Sequence, residues 1–236
     1  YLAQRGCSVT VIDDLSTGNR DAVKNCTFVQ GDFGDKQVTD SIFSKSKFEA
    51  VIHFAAFSQV AESTDQPLSY YYNNVSKTIS LLRSMDQAGI NYLVFSSSAS
   101  VYGNPQDCPT PESAPLNPIN PYGVSKCMIE KIVDDCSSAS DLNAVMFRYF
   151  NAAGADPSGE LGESHEPETH LIPIVLQAAS GLREGIEIYG SDYDTPDGTC
   201  IRDFIHVWDL CEAHWLGLLR ILKKKNTSTY NLGNGV

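Results

Sequence analysis

Tyr122 and Lys126 lie four residues apart in the run Tyr122-Gly-Val-Ser-Lys126. On a helix, side chains at this spacing share one face, one turn apart. A tyrosine with an ordinary pKa of about 10 is a poor base at neutral pH, and a nearby ammonium lowers that pKa by favouring the phenolate. The pair therefore suits a general base that takes a hydroxyl proton while a hydride leaves the same carbon. Taken alone, the same spacing is also typical of a partly exposed tyrosine and a solvated lysine.

A serine triplet, Ser96-Ser97-Ser98, follows the apolar run Tyr92–Phe95. A hydroxyl at the end of a buried strand can hydrogen bond a substrate oxygen and share its proton with Tyr122. The alternative is that these serines cap the strand end or begin a turn.

Charged side chains supply the candidates for ligand binding. Asp13 ends a β-rich run. In dinucleotide-binding α/β proteins, an acidic residue at such a strand end binds the adenosine ribose hydroxyls and disfavours the extra phosphate of NADP. Asp32 is a similar candidate for the adenine. The alternative is a solvated loop aspartate for Asp13 and a turn residue for Asp32. Arg202 can grip a diphosphate bidentately, or it forms a surface pair with Asp203. His170 precedes an apolar helix start and is a candidate ligand contact.

The composition narrows the class of protein. The chain has 236 residues, 42% of them hydrophobic, which suffices for one large α/β domain or a domain plus part of a second. A net charge of −12 argues against nucleic-acid binding. The seven cysteines include no pair with metal-ligand spacing, so we expect reduced thiols, no metal site and a cytoplasmic location. Neither a bilayer-spanning stretch nor a signal peptide is visible, so no membrane partner is expected.

Strand-like and helix-like segments alternate along the chain. The expected strands are Val9–Ile12, Phe28–Val29, Ala50–Ala55, Tyr92–Phe95, Ala144–Phe150, Ile186–Tyr189 and Phe204–Val207. The expected helices are Val38–Phe48, Leu68–Ala88, Tyr122–Cys136, Leu171–Gly181 and Trp208–Lys225, with Pro105–Pro121 as a loop. This alternation predicts an α/β fold with a doubly wound, Rossmann-like parallel sheet. Ligands of such sheets bind outside the carboxyl ends of the strands, where Asp13, Asp32, Ser98 and Asn151 fall.

The predicted division places a Rossmann-like domain in residues 1–150. Residues 151–236 form a smaller substrate-binding lobe with a return to the sheet. The chain begins at Tyr1 without methionine and ends at Val236 in mid-pattern, so both ends are expected to be truncated. The Gly-rich phosphate loop of such a domain would then lie upstream of Tyr1.

From Tyr1 to Val236 the chain resembles the UDP-glucose 4-epimerases (UDP-galactose 4-epimerases) of the extended short-chain dehydrogenase/reductase family. The resemblance rests on ordered stretches that include Val11–Gly18, Val51–Ala56, Pro67–Val75, Phe95–Gly103, Pro121–Lys126, Arg148–Asn151, His170–Pro173, Asp197–Val207 and Tyr230–Gly233.

The resemblance implies roles for individual residues. Catalysis falls to Tyr122 and Ser98 at the sugar hydroxyl, with Lys126 on the nicotinamide ribose. The residues implied to bind NAD are Asp13, Asp14, Leu15, Ser16, Thr17, Gly18, Asp32, Phe33, Phe54, Ala55, Ala56, Phe57, Ser58, Asn73, Ser98, Tyr122, Lys126 and Phe150. Those implied to bind the UDP-sugar are Ser98, Tyr122, Asn151, His170, Leu171, Glu187, Ile188, Tyr189 and Arg202. A homodimer through the helices Leu68–Ala88 and Tyr122–Cys136 is also implied.

The implied reaction is NAD-dependent 4-epimerisation. Tyr122 takes the C4 hydroxyl proton as the C4 hydride goes to NAD, the 4-keto sugar turns over, and hydride and proton return to its other face. Some bacterial members have lysine where this chain has Ser58, and some have asparagine where it has His170, so sugar preference stays open. UDP-arabinose and UDP-glucuronate 4-epimerases remain alternatives, as does a non-catalytic NAD-bound scaffold.

A sugar-nucleotide 4,6-dehydratase is the nearest rival activity. Dehydration must remove water from C5 and C6, and that family carries an Asp-Glu pair in the serine motif. UDP-glucuronate decarboxylases likewise carry a glutamate there. The turn Ser98-Ala99-Ser100 has no carboxylate. One acid–base group is enough for epimerisation.

Overall fold

The computed structural model describes residues 1–105 and 107–235, and every strand pairing in it is parallel. The strands are β1 Thr10–Asp13, β2 Thr27–Gln30, β3 Val51–His53, β4 Tyr92–Ser96, β5 Asn143–Tyr149, β6 Asn151–Ala153, β7 Phe204–His206 and β8 Ser228–Leu232. They form a four-stranded sheet of order β3-β4-β5-β8 and two pairs, β1-β2 and β6-β7.

Helices connect the strands. The α-helices are α1 Lys36–Lys45, α2 Val60–Asp65, α3 Pro67–Tyr70, α4 Lys77–Gln87, α5 Pro121–Ala139, α6 Leu171–Ala179 and α7 Val207–Lys224. Short 3-10 helices span Ala3–Arg5, Arg20–Ala22 and Ala99–Tyr102. None of the described helices combines the length and the apolar character that a membrane crossing requires.

The central strands bury side chains on both faces of the sheet. Successive residues of a strand point to opposite faces. Leu93 and Phe95 of β4 therefore pack in one core with Met85 of α4 and Ile129 of α5. Val94, between them, packs in a second core with Val145, Phe147 and Ile221 of α7. Helices thus cover both faces of the sheet, which confirms the predicted doubly wound α/β fold.

The predicted helix Leu68–Ala88 is helical along most of its length but changes geometry within it. Pro67 begins α3, where its missing N–H costs nothing. Residues Tyr71–Ser76 then form a π-helical turn, and α4 continues to Gln87. Such turns are often found at functional sites. This one buries Asn73 and Asn74.

The strand predicted at Ile186–Tyr189 is wrong. The segment is an exposed loop in which the side chain of Tyr189 is 81% exposed. No described strand pairs with it, so its apolar residues have no sheet on which to pack. The prediction for Ala50–Ala55 was too long: β3 ends at His53, and Phe54 and Ala55 are exposed beyond it. These two residues reach past the carboxyl edge of the sheet.

The chain leaves the main sheet after β5 and returns to it at β8. Between them, β6 pairs with β7, and α6 exposes Leu171 and Leu176. On the return, α7 packs on β4 and β5, and β8 pairs with β5. The predicted domain boundary at residue 150 lies where the chain leaves the main sheet. The division into two domains stays a prediction.

Candidate active site

The serine triplet leaves β4 at the carboxyl edge of the sheet. The backbone N–H of Ser97 donates to the carbonyl of Phe147 at 2.9 Å, which holds the triplet beside β5. Ser98 Oγ accepts from the N–H of Ser100 at 3.1 Å and caps the 3-10 helix Ala99–Tyr102. Ser98 therefore combines the predicted cap with a buried hydroxyl at the strand end.

The first turn of α5 carries Tyr122. Asn120 is the N-cap, and its Oδ1 accepts from the N–H of Gly123 at 2.8 Å. A Cβ on Gly123 would lie 2.6 Å from the carbonyl oxygen of Ser100, so only glycine permits this close approach. The helix start is thereby pressed onto the Ser98 turn, and the Ser98 hydroxyl lies close enough to that of Tyr122 to lower the pKa of the tyrosine.

Lys126 lies one turn further along the same helix and is buried. Its Nζ donates to the carbonyl of Ser96 at 2.7 Å and lies 5.8 Å from the centroid of the Tyr122 ring. Burial lowers the pKa of Lys126 to about 7, although the nearby Glu130 carboxylate acts in the opposite direction. An ammonium has three donors, and Ser96 takes one. The remaining two suit the paired hydroxyls of a ribose.

The pKa of Tyr122 moves in the direction opposite to the one expected. Burial raises it to about 12, the nearby Ser98 hydroxyl acts in the opposite direction, and Tyr149 adds a further rise. Lys126 does not offset this rise, because its ammonium points at Ser96 and its own pKa is about 7. The protein alone therefore holds Tyr122 as the phenol at neutral pH.

Asn74 was missed as a site residue. It is fully buried, and its side chain accepts from the N–H of Phe57 at 2.8 Å and donates to the carbonyl of Phe57 at 3.0 Å. It also donates to Ser125 Oγ at 3.0 Å, and Ser125 Oγ donates to the Tyr122 carbonyl at 2.7 Å. Asn74 thus ties the loop after β3 to the helix of Tyr122. The adjacent asparagines inside an amphipathic helix were the available signal.

A buried ion pair lies beneath the serine triplet. Arg148 NH2 and Glu130 Oε2 are 2.6 Å apart, and Ser97 Oγ donates to Glu130 Oε1 at 2.5 Å. Arg148 also donates to Tyr102 Oη at 2.8 Å, and Tyr102 donates to Asn231 at 2.7 Å. The pair therefore joins the serine triplet, β5, α5 and β8 behind the site.

The predicted adenosine side lies at the ends of β1 and β2. Asp13 Oδ1 accepts from the N–H of Leu15 at 2.7 Å, and the loop folds back so that Gly18 lies against the Asp13 carboxylate. Asp32 Oδ2 pairs with Lys77 Nζ at 2.7 Å, and Oδ1 accepts from Gly34 at 2.8 Å. Both aspartates hold turns through their side chains, which is the alternative role predicted for Asp32. Among the described residues no hydrogen bond uses Asp13 Oδ2, so this oxygen is available to a ribose hydroxyl.

The predicted NAD-side residues after β3 divide into two groups. Phe54 is 56% exposed, with its ring 4.8 Å from that of His214, and Ser58 is exposed. Phe57 is half-buried and held by Asn74. Three features fit a bound dinucleotide. They are the loop that follows β3, the buried Lys126 ammonium with two further donors, and the second oxygen of Asp13.

Comparison with known proteins identifies the family. Residues 1–233 match the NAD dependent epimerase/dehydratase family. The chain belongs to this family. It is 49% identical over 235 residues to the UDP-glucose 4-epimerase of Halalkalibacterium halodurans, covering 100% of this chain and 70% of the relative.

Solved structures of family members have the same fold. The UDP-glucose 4-epimerase of Brucella ovis in complex with NAD superposes with a TM-score of 0.96 at 46% identity, over 100% of this chain and 72% of that one. The UDP-glucose 4-epimerase of Bifidobacterium longum in complex with NAD+ and UDP gives a TM-score of 0.95 at 36% identity, over 100% of this chain and 73% of that one.

Ser98 and Tyr122 lie together, but the other residues predicted to bind the sugar nucleotide are spread over separate segments. Asn151 Nδ2 donates to the Asp203 carbonyl at 2.8 Å, so it joins β6 to the segment before β7. The Asp203 carboxylate accepts from the N–H groups of Asn234 and Gly235, so the surface pair with exposed Arg202 is not formed. His170 and Leu171 begin α6 and are exposed.

Glu187, Ile188 and Tyr189 lie in the exposed loop after α6. The nearby Glu187 carboxylate raises the pKa of Tyr189. Phe150 is half-buried beside Gly233. For this part of the family fold, the substrate-binding roles stay predictions.

Proposed function

We propose that this protein interconverts UDP-glucose and UDP-galactose by NAD-dependent epimerisation at C4, through a transient 4-keto sugar. The observation that carries the proposal is the hydroxyl pair Ser98–Tyr122, with Lys126 behind it and no carboxylate in the Ser98–Ser100 turn. A single acid–base group is what removal and return of one hydroxyl proton require.

The chain's own residues supply the proton chemistry. Ser98 hydrogen bonds the C4 oxygen and relays its proton to Tyr122. The raised pKa of Tyr122 keeps it a phenol at neutral pH, ready to return a proton to the ketone oxygen. Taking the proton in the forward step requires a positive charge near the phenol. NAD, when bound, accepts and returns the C4 hydride, and the positive charge of its oxidised ring favours the phenolate.

We assign the NAD side to residues 1–150 and the UDP-sugar side to residues 151–236. The strand ends of β1, β2 and β3 support the first assignment, because Asp13, Lys126 and the loop after β3 present polar groups at one edge. The second rests on Asn151 and Arg202, which follow β5 and precede β7 at the same edge of the fold.

Replacing Tyr122 with phenylalanine tests the catalytic assignment. Tyr122→Phe removes one oxygen and should lower the rate of UDP-galactose conversion by at least about a hundredfold, since a positioned acid–base group contributes on the order of 10² or more. NAD bound to the purified protein, measured by release on denaturation, should be unchanged. Tyr193→Phe, at an exposed tyrosine, is the matched control.

Retained turnover by Tyr122→Phe would remove Tyr122 from the reaction. Product analysis with UDP-galactose, UDP-N-acetylgalactosamine and UDP-arabinose then defines the sugar accepted. If none of the three is converted by the unsubstituted protein, the scaffold interpretation is favoured instead.

We further propose a homodimer through the helices Leu68–Ala88 and Tyr122–Cys136. Leu68, Tyr72 and Met128 expose large apolar side chains on two helices that contact each other. An exposed apolar surface of this kind is typically covered by the same surface of a second copy of the chain. Light scattering should show a dimer for the protein and a monomer for Leu68→Lys, whereas Leu182→Lys, equally exposed on the lobe, should stay dimeric. A dimer in both variants contradicts this interface.

We also propose that the protein works in the cytoplasm. All seven cysteines are free thiols, as a reducing compartment maintains them. Cell fractionation with compartment markers tests this location, and recovery outside the cytoplasmic fraction contradicts it.

A further inference from the structure

Four metal-ligating side chains meet in the segment that precedes α6. Glu163, His165, Glu168 and His170 each offer one ligand atom, and these atoms all lie within 4.8 Å of one another. We call this set the 163–170 cluster. It is outside the Ser98–Tyr122–Lys126 centre, and the cysteine spacing that argued against a metal gave no hint of it.

The distances within the cluster suit a tetrahedral ion. His165 Nδ1 lies 3.5 Å from Glu163 Oε1 and 3.5 Å from Glu168 Oε1. Atoms about 2.0–2.2 Å from a tetrahedral zinc centre are roughly 3.4 Å from each other. His170 Nδ1 contacts Glu163 Oε1 directly, so these two atoms would separate to admit the ion.

One ligand of the cluster is held in place by the backbone. Glu168 Oε1 accepts from the N–H groups of Thr169 and His170, both at 2.9 Å. Hydrogen bonds of this kind orient ligands at metal sites. The rings of His165 and His170 meet edge-to-face with centroids 4.8 Å apart, which brings both Nδ1 atoms to the same carboxylate.

We propose that the 163–170 cluster binds one Zn²⁺ in a closed, structural site. Two imidazole nitrogens and two carboxylate oxygens are a ligand set that zinc accepts, and four protein ligands leave no open position for catalysis. The ion joins residues 163–168 to His170 at the start of α6. The cluster shares only His170 with the residues predicted to bind the UDP-sugar, and zinc binding is measured without substrate, so its failure is distinguishable from failure of the proposed function.

Titration of the metal-free protein with ZnCl₂ tests the proposal. After treatment with EDTA and dialysis, calorimetry should show one equivalent of zinc bound. His165→Gln and Glu163→Gln should each weaken binding at least about tenfold, since each removes one of four ligands. Glu166→Gln removes an exposed carboxylate of the same segment that is outside the cluster, and it should bind zinc as the unsubstituted protein does.

Cobalt distinguishes this cluster from the seven thiols. Co²⁺ in the proposed site should give the visible absorption of a four-coordinate ion without a thiolate charge-transfer band. Zinc should also raise the unfolding temperature of the protein and of Glu166→Gln, and of neither cluster variant. Circular dichroism checks the fold of each variant, and if His165→Gln is unfolded, Glu163→Gln decides.

The proposal is overturned if zinc does not bind stoichiometrically, if the folded cluster variants bind zinc equally well, or if a thiolate band shows cysteine ligation. A loss of binding in Glu166→Gln equal to that in Glu163→Gln also overturns it, because nonspecific attraction to an acidic loop would then explain the binding.

Discussion

At the scale of single residues, the site consists of groups whose burial disfavours their charged forms. Tyr122 is kept a phenol, and Lys126 has a pKa of about 7. Both shifts are caused first by desolvation, which disfavours whichever form is charged. A group in such surroundings destabilises the folded protein for as long as it stays charged there. Perturbed pKa values of this kind are typical of functional sites.

Lys126→Met is expected to stabilise the protein in the absence of NAD at pH 7. The pKa of Lys126 falls from an ordinary 10.5 to about 7 on folding, so the folded protein binds fewer protons than the unfolded chain between these values. The stability of the unsubstituted protein therefore rises with pH across this window, by up to about 1.4 kcal/mol per unit.

Thermal unfolding at pH 7 and pH 9 measures this effect. The advantage of Lys126→Met should be largest at pH 7 and shrink by pH 9, while epimerisation is lost at both. Lys131→Met, at an exposed lysine of the same helix, should show no such change between the two values. A Lys126→Met protein that is less stable at pH 7 contradicts the prediction.

At the scale of elements, close contact between α5 and the Ser98 turn brings the hydroxyl pair together. Gly123 permits that contact, Asn120 caps the helix, and Asn74 braces it from the π-helical turn. The buried Arg148–Glu130 pair holds the strand ends behind it. Removing one partner of such a pair is strongly destabilising, because the other charge is left buried and unpaired.

Gly123→Ala is expected to lower the turnover rate more than it lowers stability. The new Cβ would lie 2.6 Å from a backbone carbonyl, so the helix start must move and carry Tyr122 away from Ser98. Small displacements of reacting groups cost up to about a hundredfold in rate. Gly185→Ala meets nothing within 4 Å and is the control. Steady-state kinetics with thermal unfolding separates the two effects, and an unchanged rate in folded Gly123→Ala contradicts the prediction.

Some strands and helices could be predicted from the sequence and others could not. The Tyr92–Phe95 run and the Tyr122–Cys136 helix were predicted correctly because apolar periodicity and the preceding proline loop agreed. Ile186–Tyr189 has strand-like residues but no neighbouring strand, and strand pairing is a property of the whole fold. The role of Asn74 depends on the π-helical turn, which the hydrophobic pattern does not reveal.

At the scale of the whole molecule, two cores share one sheet, and polar groups are buried in both layers. The pairing of β5 with β8 could not be predicted from the sequence, because β6, β7 and two helices lie between these strands along the chain. The position of the site could be predicted, because the carboxyl ends of parallel strands meet at one edge. The rise in the pKa of Tyr122 could not be predicted, because it depends on burial by distant parts of the chain.

Unfolding of the whole molecule should respond to acid through its buried histidines. Burial, with Lys126 nearby, lowers the pKa of His53 from 6.5 to about 3, and burial also lowers the pKa of His214. The unfolded chain therefore binds more protons below pH 6.5. The stability present above that value is lost as the pH falls, by up to about 1.4 kcal/mol per unit for each histidine.

Urea unfolding between pH 7 and pH 5 tests this expectation. His53→Gln should reduce the slope of stability against pH by close to one proton. Equal slopes in the unsubstituted protein and in His53→Gln would show that His53 does not titrate on unfolding.

The pairing of β5 with β8 has a consequence for how the chain reaches its native state. β5 ends at Tyr149 and β8 begins at Ser228, so one edge of β5 stays bare until the ribosome has made the whole intervening segment. During that interval Val145 and Phe147 lack the cover that Ile221 and Tyr230 later provide. Contacts between residues so far apart in sequence form slowly. An unpaired strand edge with exposed apolar side chains promotes aggregation. We therefore expect the nascent chain to be most prone to aggregation after the catalytic hydroxyl pair has been synthesised and before β8 emerges.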